Sequence, residues 1–209
     1  MSYYADTLFP RYYDRVMKGE PLAQARQRSL AAVQGRVLEI GIGTGQSLEH
    51  YPRSIEAITA VDPNPGMAQQ LARKLDTARI AVDFVAAPAE KLPFPDASFD
   101  TVVSSHVLCS VDDIDATLKE ALRVLRPGGR LVFLEHGRSD EPSVMRWQRV
   151  LGPVQRIFAA GCRLDVPIDE AIERAGFELA SLNRYYMQGD PKTHGAMYEG
   201  TAIKSAAST

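Results

Sequence analysis

The run VLEIGIGTGQS, residues 37–47, constrains the chain more than any other segment. An apolar strand pattern leads straight into Gly41, Gly43 and Gly45, and a helix is expected over 43–51. Glycine at such a bend supplies positive φ and lets a ligand approach the backbone where a Cβ would collide. The rest of the chain repeats this strand–helix grammar. Strand patterns over 36–40, 57–61, 80–87, 98–106 and 130–136 alternate with helical patterns over 65–75 and 113–125. The helix 113–125 is ended by Arg126-Pro127-Gly128-Gly129. Single helices between strands predict parallel crossovers and an α/β sheet covered on both faces.

Outside that core the pattern changes. A helix over 21–33 precedes it, with Pro21 at a first-turn position. A helical insertion over 142–162, a shorter helix over 167–176 and strands over 177–186 and 194–204 follow, with a frayed tail at 205–209. The 209 residues fit one domain. It divides into an N-terminal helical cover (1–34), a ligand-binding core (35–136), an insertion or lid (137–176) and a closing β-hairpin (177–204).

Charge excludes some partners. Lys and Arg number 24 against 26 Asp and Glu, which rules out a polybasic surface as the main basis of binding, and nucleic acid is not expected as a partner. No run reaches the ~20 apolar residues of a membrane span, and the N-terminus lacks a secretory pattern, so stable membrane insertion is not expected. Two cysteines, Cys109 and Cys162, suit a reducing cytoplasm. Far apart in sequence, they predict no metal-ligand cluster, and no metal is expected. A buried free cysteine packs as a small hydrophobe, which is the reading for Cys109.

Two features refine the glycine bend. Glu39, two positions before Gly41, repels a pyrophosphate and welcomes a cation. Gln46 stands where the third glycine of the dinucleotide fingerprint belongs, which disfavours a nicotinamide-dependent oxidoreductase. Asp62, about twenty positions beyond the glycines, is placed to accept ribose hydroxyls, or to cap the helix that begins near Pro65.

VLEIGIGTG, VDPNPGM, AEKLPFPDASFDTVVSS, EALRVLRPGG and LVFLEH together resemble the class I S-adenosylmethionine-dependent methyltransferases over residues 35–136. The resemblance implies a Rossmann-like three-layer sandwich with a seven-stranded, mostly parallel sheet of order 3-2-1-4-5-7-6 and strand seven antiparallel. It implies S-adenosyl-L-methionine as cofactor. Glu39 and Gly41 would face its methionine part, Gly43 and Gly45 its floor and Asp62 its ribose. Pro63 and Met67 would line an adenine face, and Ser104 and Ser105 would border the sulfonium. Pro88 replaces the acid usual near the adenine amino group, leaving the Ala89 amide or Glu90 for that contact. SSHVLCSV, VLRPGGRLVFLEH, WQRVLGPVQRIFAAGC and HGAMYEGTAIK are most similar to the membrane-associated alkyl-thiol methyltransferases and their bacterial relatives. The animal members carry an N-terminal hydrophobic anchor. No such anchor is read here, so membrane attachment is not carried over.

A thiol acceptor must lose its proton, and histidine can take it. His106, His136 and His194 lie at or near strand ends and are the catalytic candidates, each with a loop-capping role as the alternative. The insertion places Trp147, Val150, Leu151, Val154, Ile157 and Phe158 at helical spacing, with Arg146, Arg149 and Arg156 opposite. That stripe forms a lid, lies on a membrane surface or packs on the sheet, and Gly152-Pro153 is expected to bend it. Tyr3, Tyr4, Tyr12, Tyr13 and Asp14 form a cover over the cofactor or plain edge packing. The sequence therefore points to methyl transfer onto a small or lipophilic acceptor, a thiol sulfur favoured. Transfer to nitrogen or carbon of a phospholipid headgroup or quinone precursor is the alternative. A non-catalytic binder of the same cofactor is a third reading.

Overall fold

The computed structural model describes residues 9–17, 19–159 and 161–206. Seven strands form one sheet: β1 (Val37–Ile40), β2 (Ala57–Val61), β3 (Ala81–Val85), β4 (Phe99–Ser105), β5 (Leu125–His136), β6 (Glu178–Tyr186) and β7 (Ala196–Ile203). Their order is β3-β2-β1-β4-β5-β7-β6. The first five run parallel, and β7 pairs antiparallel with both β5 and β6. This is the architecture expected from the sequence.

The helices are α1 (Phe9–Val16), α2 (Glu20–Leu30), α3 (Pro65–Leu75), α4 (Ile114–Val124), α5 (Pro142–Phe158), α6 (Ile168–Arg174) and α7 (Lys192–Gly195). Two apolar clusters cover the sheet. Leu30, Val33 and Leu71 belong to one, with Ile58 and Val132. The other joins Leu118, Ala121, Ile168 and Ile172 to Leu38, Val102 and Phe133. The sandwich follows from helical periodicity: Leu118, Ala121 and Val124 recur at three-residue steps along α4 and are fully buried.

Local details depart from the sequence reading. Residues 43–51 hold only turns and a 3₁₀ segment, Leu48–His50. Gly43 and Gly45 at positive φ cannot start an α-helix, and Pro52 limits its extension. β5 begins at Leu125 rather than 130, because Leu125 already pairs with Phe99 before a register shift. His194 lies in the α7 turn instead of opening the last strand.

α5 runs unbroken through Pro153. Its inner face carries buried Val144 and Gln148, then half-buried Leu151 and Gln155. Gln148 Nε2 donates to Gly137 O (3.0 Å) and Thr193 O (3.1 Å), while its Oε1 accepts from Ser139 N (2.9 Å). The apolar stripe turns outward: Trp147 is 59% and Ile157 70% exposed. The packing of this stripe on the sheet is therefore corrected.

The strand order reverses between β1 and β4, the position where open α/β sheets bind ligands. The glycine bend after β1 and the Ser105–His106 turn after β4 flank that point.

Candidate active site

All three glycines of the bend have positive φ: +61° at Gly41, +57° at Gly43 and +75° at Gly45. A Cβ on Gly41 would stand 2.5 Å from Val107 Cγ2, and one on Gly45 2.8 Å from Leu71 Cδ1. Packing alone demands these two. A Cβ on Gly43 would meet nothing nearer than 3.9 Å, at Gly41 O and Tyr13 Cε1, with Met67 Sδ at 4.0 Å. A methyl at Gly43 would thus sit in ordinary van der Waals contact between Tyr13 and Met67, so packing does not demand a glycine there.

Asp62 directly follows β2 and reaches the glycine bend. Its Oδ2 accepts from Gly43 N (2.9 Å) and its Oδ1 from Asn64 N (2.8 Å). Each oxygen keeps further acceptor capacity. Burial raises the Asp62 pKa against the pull of these two N–H groups. The capping role belongs to Asn64, whose Oδ1 accepts from Gly66 N and Met67 N. Pro63 is exposed beside it and Met67 is buried.

The crevice itself is lined by Tyr13, Arg26, Glu39, Gly41, Ile42, Gln46, Ser47 and Ser105. A larger open depression, lined by Gln27, His50, Arg53 and Arg79 among others, contains none of the glycine bend and lacks comparable chemistry. Glu39 accepts from Tyr51 OH (2.9 Å) and from Ser47 Oγ. Burial lifts its pKa to about 7 even against those hydrogen bonds. Arg26 is buried opposite, donating to Met17 O (2.8 Å). One buried acid and one buried guanidinium in the same crevice suit a zwitterionic amino-acid moiety. Arg26 was missed in the sequence; its alignment with Ala25, Ser29 and Leu30 on the inner face of α2 was the available signal.

α1 lies over the bend. Asp14 Oδ1 accepts from Thr44 Oγ1 (2.9 Å), Lys74 Nζ (2.7 Å) and Gln46 Nε2. Gln46, the residue that replaces a fingerprint glycine, therefore latches the cover. Tyr12 is exposed, and Tyr3 and Tyr4 lie outside the described residues.

The carboxyl ends of β4 and β5 bring a second group together. Ser104 Oγ donates to Glu135 Oε1 (2.6 Å), which also accepts from Val107 N (3.0 Å). Glu135 Oε2 is buried with no hydrogen-bond partner among the described residues. Such a group favours a cationic or donor ligand nearby. Glu135 was not singled out in the sequence, because a glutamate inside an apolar strand gives no periodic signal. Ser105 Oγ lies 3.3 Å from His106 Nδ1. The rings of His106 and His136 meet edge-on with centroids 5.0 Å apart. His106 sits at φ +60°, a left-handed conformation that a non-glycine residue holds only under constraint. Burial, then the charge of His136, hold its pKa well below 6.5.

Cys109 and Cys162, far apart in sequence, have their sulfurs 3.6 Å apart, and Cys162 Sγ lies 3.6 Å from His136 Nδ1. The expectation of no cysteine-based cluster is therefore corrected: the fold folds the insertion back over the β4 turn. Contact with Cys109, against burial and aided by His136, pulls the Cys162 thiol down, while the same contact and burial push Cys109 up. Burial opposes protonation of His136, but the Cys162 sulfur outweighs it and raises its pKa.

Two candidates are engaged elsewhere. Glu90 Oε1 accepts from Asp112 N (3.0 Å) and Asp113 N (3.4 Å), so it steadies the start of α4 instead of facing a base. Ala89, next to it, is buried. His194 Nε2 lies 3.3 Å from Gln155 Oε1 and ties α7 to α5, while its Nδ1 lies 2.9 Å from Thr193 Oγ1 within α7.

Comparison with known proteins agrees with this geometry. Residues 38–133 match the family described as "Methyltransferase domain". Thiol S-methyltransferase TMT1B of Rattus norvegicus is 34% identical over 186 residues, covering 86% of this chain and 76% of that protein. Demethylmenaquinone methyltransferase of Clavibacter sepedonicus is 40% identical over 123 residues, 58% of this chain and 50% of that one. Among solved structures, a SAM-dependent methyltransferase of Thermotoga maritima superposes with TM-score 0.71 at 23% identity, covering 98% of this chain and 100% of that one. No helix among the described residues is long and apolar enough to cross a membrane. Matched over most of both chains to a thiol S-methyltransferase at 34% identity, the chain belongs to the S-adenosylmethionine-dependent methyltransferases.

Proposed function

We propose that the chain transfers a methyl group from S-adenosylmethionine to the sulfur of a small lipophilic thiol in the cytoplasm. The observation that carries this reading is the His106–His136 pair at the carboxyl ends of β4 and β5, beside the crevice that Ser105 lines. Similarity to a thiol S-methyltransferase supports it, as does the outward apolar face of α5. The cofactor supplies an electrophilic methyl on a sulfonium. Asp62 accepts the ribose hydroxyls, Glu39 the amino-acid ammonium and Arg26 its carboxylate. Gly41, Gly43 and Gly45 form the floor, Pro63 and Met67 an adenine face, and the Ala89 amide meets the adenine edge. Ser104 and Ser105 border the sulfonium, and Glu135 adds negative potential there.

His106, neutral at physiological pH, accepts the thiol proton. The acceptor sulfur forms the new carbon–sulfur bond as the old one breaks, its electron pair staying on the departing thioether. His136 orients His106. Positioning the groups in line supplies much of the acceleration.

The test is product mass after incubation with alkyl thiols, phosphatidylethanolamine and phenolic quinone precursors. Methylated thiols are expected; product only from the lipid or the phenols assigns nitrogen or carbon transfer and overturns the thiol reading. His106→Ala is expected to lower kcat roughly 100-fold with S-adenosylhomocysteine affinity unchanged.

Glu39 makes cofactor binding pH-dependent. With its pKa at about 7, the carboxyl must lose a proton to hold an ammonium at lower pH. Affinity for S-adenosylhomocysteine is expected to rise about tenfold between about pH 6 and 8 and then level off. Without ligand the sign reverses, because the folded state holds this proton more tightly than the unfolded chain. Glu39 therefore lowers stability as pH rises from about 4.3 to 7. Calorimetry on the native chain and Glu39→Gln checks both; equal slopes in the two proteins remove Glu39 from this role.

A further inference from the structure

None of Cys109, Cys162 and His136 lines the crevice beside the glycine bend. Their donor atoms all lie within 4.8 Å of one another, and no other Cys, His, Asp or Glu joins them among the described residues. The two 3.6 Å edges are informative. A tetrahedral zinc-type ion holds sulfur at about 2.3 Å and imidazole nitrogen at about 2.0–2.1 Å. That places two sulfurs about 3.7 Å apart and sulfur about 3.5 Å from nitrogen. Both edges thus stand at ligand spacing already, and only the Cys109–His136 edge must close.

The backbone holds the sulfurs there independently of any ion. Arg163 N donates to Cys109 O (2.8 Å), fastening the chain after α5 to the turn after β4. Gly161, at φ +96°, allows the approach, since its Cβ would stand 3.1 Å from Ser110 O. The cluster also adjoins the crevice: the His136 ring meets His106, and Tyr13 lies within electrostatic reach of both Cys109 and Asp62.

We infer that Cys109, Cys162 and His136 are the three protein ligands of a site for a thiolate-seeking divalent cation of the zinc class, with a fourth position open to the acceptor. Three ligands and an open position are the arrangement of reactive rather than structural zinc. Loading displaces the cysteine protons to solvent. The ion draws the acceptor sulfur into its open position as a thiolate, whose proton passes to solvent. After the new carbon–sulfur bond forms, the neutral thioether is a poorer ligand and leaves. This catalytic role rests on the thiol reading above; the ion site itself does not.

The experiment uses the reduced full chain, stripped by a chelator and titrated with Zn²⁺ against a chromogenic competitor. One equivalent per chain is expected. Co²⁺ in its place should show a thiolate charge-transfer band in the near ultraviolet. Cys109→Ser and Cys162→Ser should each lose at least about 100-fold in Zn²⁺ affinity, since even partners of ligands give 10–100-fold. Circular dichroism and S-adenosylhomocysteine binding confirm that each variant is folded. His136→Asn should weaken binding and shift the Co²⁺ spectrum. No uptake by the reduced chain overturns the site, as does full uptake by the double serine variant. A Cys109–Cys162 disulfide forming in a chain that takes up no metal also overturns it, in favour of a redox pair. If zinc binds but no thiol is methylated, the site stands and the thiol reading fails. If the zinc-free enzyme methylates thiols at the full rate, the catalytic role of the ion is overturned.

Discussion

An Asp62→Ala chain is expected to bind S-adenosylhomocysteine at least about 100-fold more weakly than the native protein. Two ribose hydroxyls bonded to an ionised acceptor contribute about 1.5–3 kcal/mol each, and tenfold in affinity corresponds to about 1.4 kcal/mol. The same change leaves Gly43 N and Asn64 N without their acceptors, so some stability is lost as well. Asp62→Asn separates the two effects. It keeps one carbonyl oxygen for a backbone N–H and presents an amide NH₂ where a second acceptor is needed, so its affinity should fall between the other two. Titration calorimetry alongside thermal melting reads both quantities. Native affinity in a well-folded Asp62→Ala chain would remove the ribose from this acid.

The second large effect separates two neighbouring glycines. Gly41→Ala and Gly43→Ala both force alanine into positive φ, at about 1–2 kcal/mol. Gly41→Ala adds a collision with Val107 at 2.5 Å and should destabilise by several kcal/mol, about 2–4 °C of Tm for each. Gly43→Ala meets no such neighbour, so its melting temperature should fall by only a few degrees. Its methyl would lie between Tyr13 and Met67, where the cofactor is proposed to rest on the bend, and should weaken S-adenosylhomocysteine at least about tenfold, a single misplaced group in a close-fitting site. The expected pattern is therefore a stability defect at position 41 and a binding defect at position 43. Equal binding losses in the two variants, scaled only to their stabilities, would show that the bend does not carry the cofactor.

The sheet and the bend were legible because their signals are local. Apolar runs at strand length, punctuated by Gly41, Gly43 and Gly45, and Asp62 at a fixed distance, depend on neighbours in sequence. The features that escaped are products of chain return. Cys109 and Cys162 meet only because the segment after α5 folds back across the β4 turn. Glu135 looks like a misplaced charge in a strand until Ser104 and Val107 stand beside it. Arg26 reads as a solvent-facing helix residue until Met17 O is above it. The stripe of α5 misled for another reason. Periodicity marks two unlike faces of a helix but does not say which turns inward, and here Gln148 decides.

That glutamine has a consequence for how the surface of α5 can change. α5 is moored by three hydrogen bonds from one amide, each contributing on the order of 1 kcal/mol, with Val144 beside it. Its greasy outer row contributes little to anchorage. Trp147, Val150, Val154 and Ile157 can accordingly be exchanged for side chains of other shape and polarity while the domain keeps its footing. The outer face of this helix is thus free to drift while the inner face, fixed by one amide, is not.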